Sequence, residues 1–137
     1  MKRNKLREAL DLLRHALEVK YRFIVHYPRL TRMMPDQELA SKLEILGRDS
    51  IRHADIVSRT ISRLGGTAPV PTVDLLPEPL DFKDFFRKQL ELEKLALWLH
   101  TKASESVGEE LAPSLREIAE QERWHIRLTE EIISRLG

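Results

Sequence analysis

Two segments of the sequence each place a histidine three residues after a polar side chain. In "EQERWHIRL" Glu122 precedes His125, whereas in "GRDSIRHAD" Ser50 precedes His53. Residues three apart share one face of a helix, so the side chains of Glu122 and His125 can reach the same point. Carboxylate and imidazole are both ligands of divalent transition metals. The spacing predicts a metal site in which the His53 half lacks a carboxylate.

Two further glutamates lie at matching places in the other helical segments. Glu93 is on the apolar stripe of the third segment, and Glu18 is at the margin of the stripe in the first. In the first half of the sequence Glu18 precedes His53 of the next helix, and in the second half Glu93 precedes His125 by a similar interval. An ionised carboxylate inside a bundle is costly unless it is paired or bound to a cation. The repeat favours a cation shared by all four helices.

Each of these residues, taken alone, also has an ordinary structural explanation. A lone histidine such as His53 is commonly a hydrogen-bonded core residue, and Glu122 could pair with a buried arginine. Glu18 and Glu93 could be solvated residues at a helix edge. The combination, rather than any single residue, indicates a metal site.

Two neighbouring residues are weaker candidates. Asp49 lies beside Arg48 and Arg52, and it fits a surface salt bridge better than a ligand, although its spacing to His53 permits ligation. His100 lies two turns beyond Glu93, about 10 Å along the helix axis, which is too far to reach the same ion. We expect His100 to be a hydrogen-bonded core residue, or to contact a metal ligand without contacting the ion itself.

Four amphipathic helices are predicted to hold these side chains, because apolar residues recur at three- and four-residue steps and no strand pattern occurs. Pro28 is expected to end or kink the first helix. Asp36 and Asp81 are expected to cap the second and third, and Gly65 to end the second. The chain length suits one all-α domain over 1–137. The expected helices are at about 3–33, 36–64, 81–107 and 110–136.

The segment "GGTAPVPTVDLLPEPL" separates the second helix from the third and has no helical period. Fully extended, it would reach about 50 Å, roughly the length of a 28-residue helix. Such a segment can cross the full height of a bundle and let the second and third helices run parallel. We predict a four-helix bundle with one long crossover between helices two and three; a tether between two independent hairpins is the alternative.

The sequence resembles the ferritin-like superfamily, in particular bundles of the bacterioferritin and rubrerythrin type. The resemblance covers nearly the whole chain and is carried by "IRHADIVSRTISRLGG", "LELEKLAL" and "AEQERWHIRLTEEI". It implies a ferritin-like fold and a bound metal, iron or alternatively manganese or zinc. It also implies iron oxidation or storage, peroxide reduction or dioxygen activation. The implied metal ligands are Glu18, His53, Glu93, Glu122 and His125.

Two positions depart from the family pattern. Ser50 stands where the family usually has a metal-bridging glutamate, and Ile51 stands where bacterioferritins place the methionine that binds haem. The resemblance therefore predicts no haem. The three remaining glutamates do not balance two divalent cations, so we expect one divalent ion, or a second one that is weakly held.

The composition of the chain excludes several types of metal site and partner. The chain has no cysteine, which excludes cysteine-ligated zinc and iron–sulfur clusters and fits a reducing, cytoplasmic location. Its 23 basic and 22 acidic residues provide no net field for nucleic acid or an anionic membrane. Two function classes remain: a metal-dependent oxidoreductase acting on dioxygen or peroxide, and a non-catalytic bundle with a structural metal that acts in assembly. Trp98 and Trp124 could form a homodimer face or pack in the core.

Overall fold

The computed structural model describes residues 3–75 and 81–136. In these ranges the chain forms four α-helices and no strand, which confirms the predicted all-α four-helix fold. None of the four helices is long and apolar enough to cross a membrane. The helices are α1 (Arg3–Arg32), α2 (Gln37–Arg63), α3 (Phe82–Ser106) and α4 (Ala112–Arg135).

The helix ends follow the predicted capping residues. The carboxylate of Asp36 accepts a hydrogen bond of 2.8 Å from the backbone N–H of Leu39, and Asp81 accepts one of 3.0 Å from Asp84. These bonds satisfy backbone donors that the first turn of a helix leaves free. After α2, Gly65 adopts a φ of 87°, a conformation that a side chain would disfavour.

Pro28 does not end α1, which continues to Arg32. The proline is exposed, so the helix hydrogen bond that it cannot donate is lost on the side of the helix that water reaches. This explains how a proline is accommodated four residues before the end of the helix.

The helices form a closed four-membered arrangement. α1 packs against α2 and α3, and α4 packs against α3 and α2, whereas α2 and α3 do not pack together in the described part of the chain. Ion pairs join Lys42 to Glu131 and Arg63 to Glu110, so α2 and α4 run antiparallel. The predicted crossover includes residues 76–80, which lie outside the described residues, and its path stays a prediction.

Besides a small apolar cluster formed by α1 and α3, the interior has two apolar clusters with a band of buried polar side chains between them. One cluster includes Leu17, Val57 and Ile118, and the other includes Phe23 and Leu46. We call the band the polar layer. It comprises Lys20, Ser50, His53, Gln89, Glu93, Glu122 and His125, and each of these residues is at most 2% exposed.

Gly47 marks a close approach between α1 and α2. It is buried within α2, and a Cβ at this position would overlap the ring of Tyr27. We expect Gly47→Ala to destabilise the protein by about 1–3 kcal/mol in urea unfolding, because the ring would have to move. Gly108→Ala is the control, since no atom lies within 4 Å of the added Cβ there. Alanine normally stabilises a helix relative to glycine, so a more stable Gly47→Ala variant would contradict the close approach.

Candidate metal centre

Four of the five predicted ligands meet in the polar layer. His53 of α2 and Glu122 and His125 of α4 each offer one ligand atom, and these atoms lie within 4.8 Å of one another. Glu93 of α3 joins them, with its Oε2 3.3 Å from Nδ1 of His125. The bundle thus collects two imidazoles and two carboxylates from three helices, while their ligation of a metal stays a prediction.

Glu18 is the predicted ligand that does not join this cluster. It is exposed on the outer face of α1, and the inward position is taken by Lys20, which is fully buried. The interior face of α1 runs through Leu17, Lys20 and Phe23, at three-residue steps. Lys20 was not identified from the sequence because lysine is almost never fully buried unless it is paired. Its place within the apolar spacing was the signal available.

Lys20 supplies the positive charge of the polar layer. Its ammonium group donates a hydrogen bond to Oε1 of Glu122, and both side chains are fully buried. Burial lowers the pKa of Lys20, but the carboxylates of Glu122, Glu93 and Asp49 outweigh that effect and raise it above the ordinary value. Lys20 is therefore charged.

The two buried carboxylates differ in how firmly they hold their negative charge. Burial and the neighbouring Glu93 raise the pKa of Glu122 well above its ordinary value, although Lys20 opposes this. Burial also raises the pKa of Glu93, but the charge of Lys20 is the strongest opposing influence, and the pKa lies well below the ordinary range. Two carboxylates thus face one ammonium group. The remaining negative charge can be compensated by one further cation or by a proton on Glu122.

Several buried atoms of the layer have no hydrogen-bond partner within the described ranges. They include Nδ1 of His53, Oε2 of Glu93, Oε2 of Glu122 and Nδ1 of His125. A buried polar atom without a partner costs about 1–3 kcal/mol. All four atoms are of the types that ligate metals, and one ion between them would satisfy several at once.

The outer nitrogen of each imidazole is held by a side chain at the α2–α4 boundary. Nε2 of His53 donates to Oε1 of Gln121 at 2.5 Å, and Nε2 of His125 donates to Oδ2 of Asp49 at 2.8 Å. Both histidines therefore direct the lone pair of Nδ1 inward, an arrangement typical of histidines that ligate metals. Asp49, which is also 3.6 Å from Arg52, orients His125 instead of facing the centre. Gln121 was not identified from sequence because it lies off the apolar stripe.

The protonation state of His53 suits ligation. Burial, and after it the charge of Lys20, lowers the pKa of His53 to about 2. The ring is therefore neutral at physiological pH, as a metal ligand must be. His100 lies outside the cluster, and its Nδ1 donates to the carbonyl of Ala96 at 2.7 Å, as expected for a hydrogen-bonded core residue.

No protein-family model and no curated protein matches the sequence. Solved structures do match. A structure described as ferritin-like, diiron-carboxylate proteins from Bacillus anthracis str. Ames superimposes with a TM-score of 0.79 at 20% identity, over 97% of this chain and 99% of that chain. Desulfovibrio desulfuricans bacterioferritin, described with its diiron site, has a TM-score of 0.77 at 18% identity, over 97% of this chain and 82% of that chain. These likenesses show that the chain has the ferritin-like four-helix bundle fold, as predicted.

His100 should make the stability of the protein depend on pH. Burial, followed by the nearby charge of Lys20, lowers its pKa to about 3, compared with an ordinary value of 6.5. Between these two values the unfolded chain binds a proton that the folded chain does not, so stability is lost as the pH falls below about 6.5. We expect metal-free His100→Leu to lose about 2 kcal/mol less than the parent between pH 7 and pH 5, measured by urea unfolding. Equal losses would show that His100 is not held neutral.

Proposed function

We propose that this chain is a metal-binding protein of the ferritin-like type that holds a divalent transition metal in its polar layer. The proposed ligands are His53, Glu93, Glu122 and His125. The main support is that each of these four buried side chains keeps one ligand atom without a hydrogen-bond partner in the described part of the chain. A water-excluded set of such atoms is costly unless a cation satisfies it.

The donor set favours iron or manganese, with zinc as the redox-inactive alternative. Imidazole suits iron and zinc, and carboxylate suits manganese, so a mixed site accepts each of these ions. The solved structures with the same fold are described as diiron-carboxylate proteins, which supports iron as the first choice. Because none of the four proposed ligands carries sulfur, softer ions such as monovalent copper are disfavoured.

The role that we propose for the loaded protein is that of an oxidoreductase. Bound iron or manganese would supply redox chemistry toward dioxygen or peroxide. The chain supplies two oriented neutral imidazoles, a carboxylate pair balanced by Lys20, and apolar clusters that keep bulk water away. Ser50 is buried, and its hydroxyl has no hydrogen-bond partner in the described part of the chain. The lack of cysteine fits our further proposal that the protein acts in the cytoplasm.

A second candidate is a role in assembly with a structural metal. Trp98 and Trp124 are 53% and 43% exposed, so the interpretation that they pack in the core is wrong. Exposed tryptophans on the adjoining helices α3 and α4 favour a contact with a second copy of the chain. A metal-loaded protein that shows no oxidase or peroxidase turnover would favour this role over the first.

Replacing His125 tests metal binding directly. We expect His125→Ala to lose at least about tenfold in Mn²⁺ affinity and most of its metal on purification without chelator, because a ligand is removed. His100→Ala is the matched control, since it also removes a buried histidine but leaves the cluster intact. Elemental analysis and thermal unfolding with and without Mn²⁺ provide the measurements, and the ion should raise the melting temperature of the parent and of the control only. A His125→Ala protein with the affinity of the parent would refute the proposal.

The outer partner Asp49 gives a second test. Because it fixes the ring of His125, Asp49→Ala should weaken Mn²⁺ binding by about 10- to 100-fold without changing the number of ions bound. Asp55→Ala is the control on the same helix, since Asp55 is exposed and pairs with Arg59. Equal affinities in the two variants, measured by equilibrium dialysis, would mean that Asp49 is only a surface residue.

A further inference from the structure

We propose that the ammonium group of Lys20 takes the place of one metal ion in this bundle, so that the centre holds a single divalent ion beside Glu93 and His125. The identity of that remaining ion rests on the proposed function. The replacement of an ion by Lys20 rests on the contacts and charges of Lys20 itself.

The two oxygens of Glu122 face different surroundings. Oε1 accepts the hydrogen bond from Lys20 and lies 3.4 Å from Nδ1 of His53. Oε2 has no hydrogen-bond partner in the described ranges and lies 3.9 Å from Nδ1 of His125, which in turn lies 3.3 Å from Oε2 of Glu93. One side of Glu122 is thus occupied by an ammonium group, while the other side presents three free ligand atoms.

The charges of the layer allow one divalent ion and oppose two. When Glu93 and Glu122 are both ionised, Lys20 offsets one of the two carboxylates, which leaves one negative charge at the centre. One divalent ion would reverse this to one positive charge, which Asp49 behind His125 can offset. A second ion would bring two more positive charges close to the ammonium group, and Ser50 offers a hydroxyl there in place of a carboxylate.

The position of Lys20 also argues against a purely structural role. A buried ion pair contributes little stability, because the cost of desolvation offsets the attraction between the charges. Lys20 is placed neither in the apolar clusters nor at the surface, but at the depth where the four ligands converge. An ammonium group at that depth compensates the negative charge of the carboxylates, as a metal ion would. It also occupies a carboxylate oxygen that could otherwise bind a metal.

The number of Mn²⁺ ions bound under anaerobic conditions tests this inference. We expect the parent to bind no more than one ion per chain, with the six-line electron paramagnetic resonance spectrum of an isolated Mn²⁺ ion. Lys20→Glu combined with Ser50→Glu should bind two ions and give the broadened spectrum of a close pair.

Lys20→Met provides a test that does not require two new buried carboxylates. It removes the charge at similar length and adds only a thioether, which is a poor ligand for Mn²⁺, so the count should stay at one. The affinity for Mn²⁺ should rise at least about tenfold, because the repulsion from the ammonium group is gone. Circular dichroism and gel filtration check that each variant is folded, and if the double variant does not fold, Lys20→Met and the parent's ion count decide.

The outcomes separate this inference from the proposed function. Two tight ions in the parent, a folded double variant that binds as many ions as the parent, or an unchanged affinity in Lys20→Met would each overturn the role of Lys20. A parent that binds no Mn²⁺ beside a double variant that binds two would overturn the proposed function, while supporting Lys20 as the substitute for an ion.

Discussion

The ion pair between Lys20 and Glu122 is the interaction on which the interior of this bundle depends. Without the ammonium group, two carboxylates would be buried side by side in a layer closed above and below by apolar side chains. Burial of that kind is tolerated only when the charges are compensated. Lys20 keeps Glu93 ionised and leaves Glu122 as the group whose charge responds to whatever cation is present.

The arrangement of the helices explains why so few residues can create this environment. α1 contributes only the ammonium group, α3 contributes Glu93, and the α2–α4 pair contributes both imidazoles together with the side chains that orient them. The apolar clusters on either side fix the depth of the layer, because each helix changes from apolar to polar side chains at the same height. The geometry of the centre is thus a product of the packing between helices.

Much of the fold could be predicted because helical periodicity and capping are local properties of the sequence. The spacing of leucines, the caps at Asp36 and Asp81, and the inward positions of Glu122 and His125 are read within one or two turns. Glu18 and Lys20 lie two residues apart, and which of two charged residues at the edge of a stripe faces the interior depends on how the helix is rotated against its neighbours. Gln121 was missed for a related reason, since its contact with His53 crosses between helices. Such pairings depend on tertiary packing, which no local pattern contains.

The partly exposed outer partners Asp49 and Gln121 have a kinetic consequence. They lie at the boundary of α2 and α4, so a single side chain separates each imidazole from bulk water. On the α1–α3 side, Lys20 and Glu93 are covered almost completely. Exchange of the proton on Nε2 of either ring with solvent therefore requires movement of one partly exposed side chain rather than separation of packed helices. Side-chain rotations at a protein surface take picoseconds to nanoseconds, so the outer nitrogens of the two rings can exchange protons with solvent while the bundle stays intact.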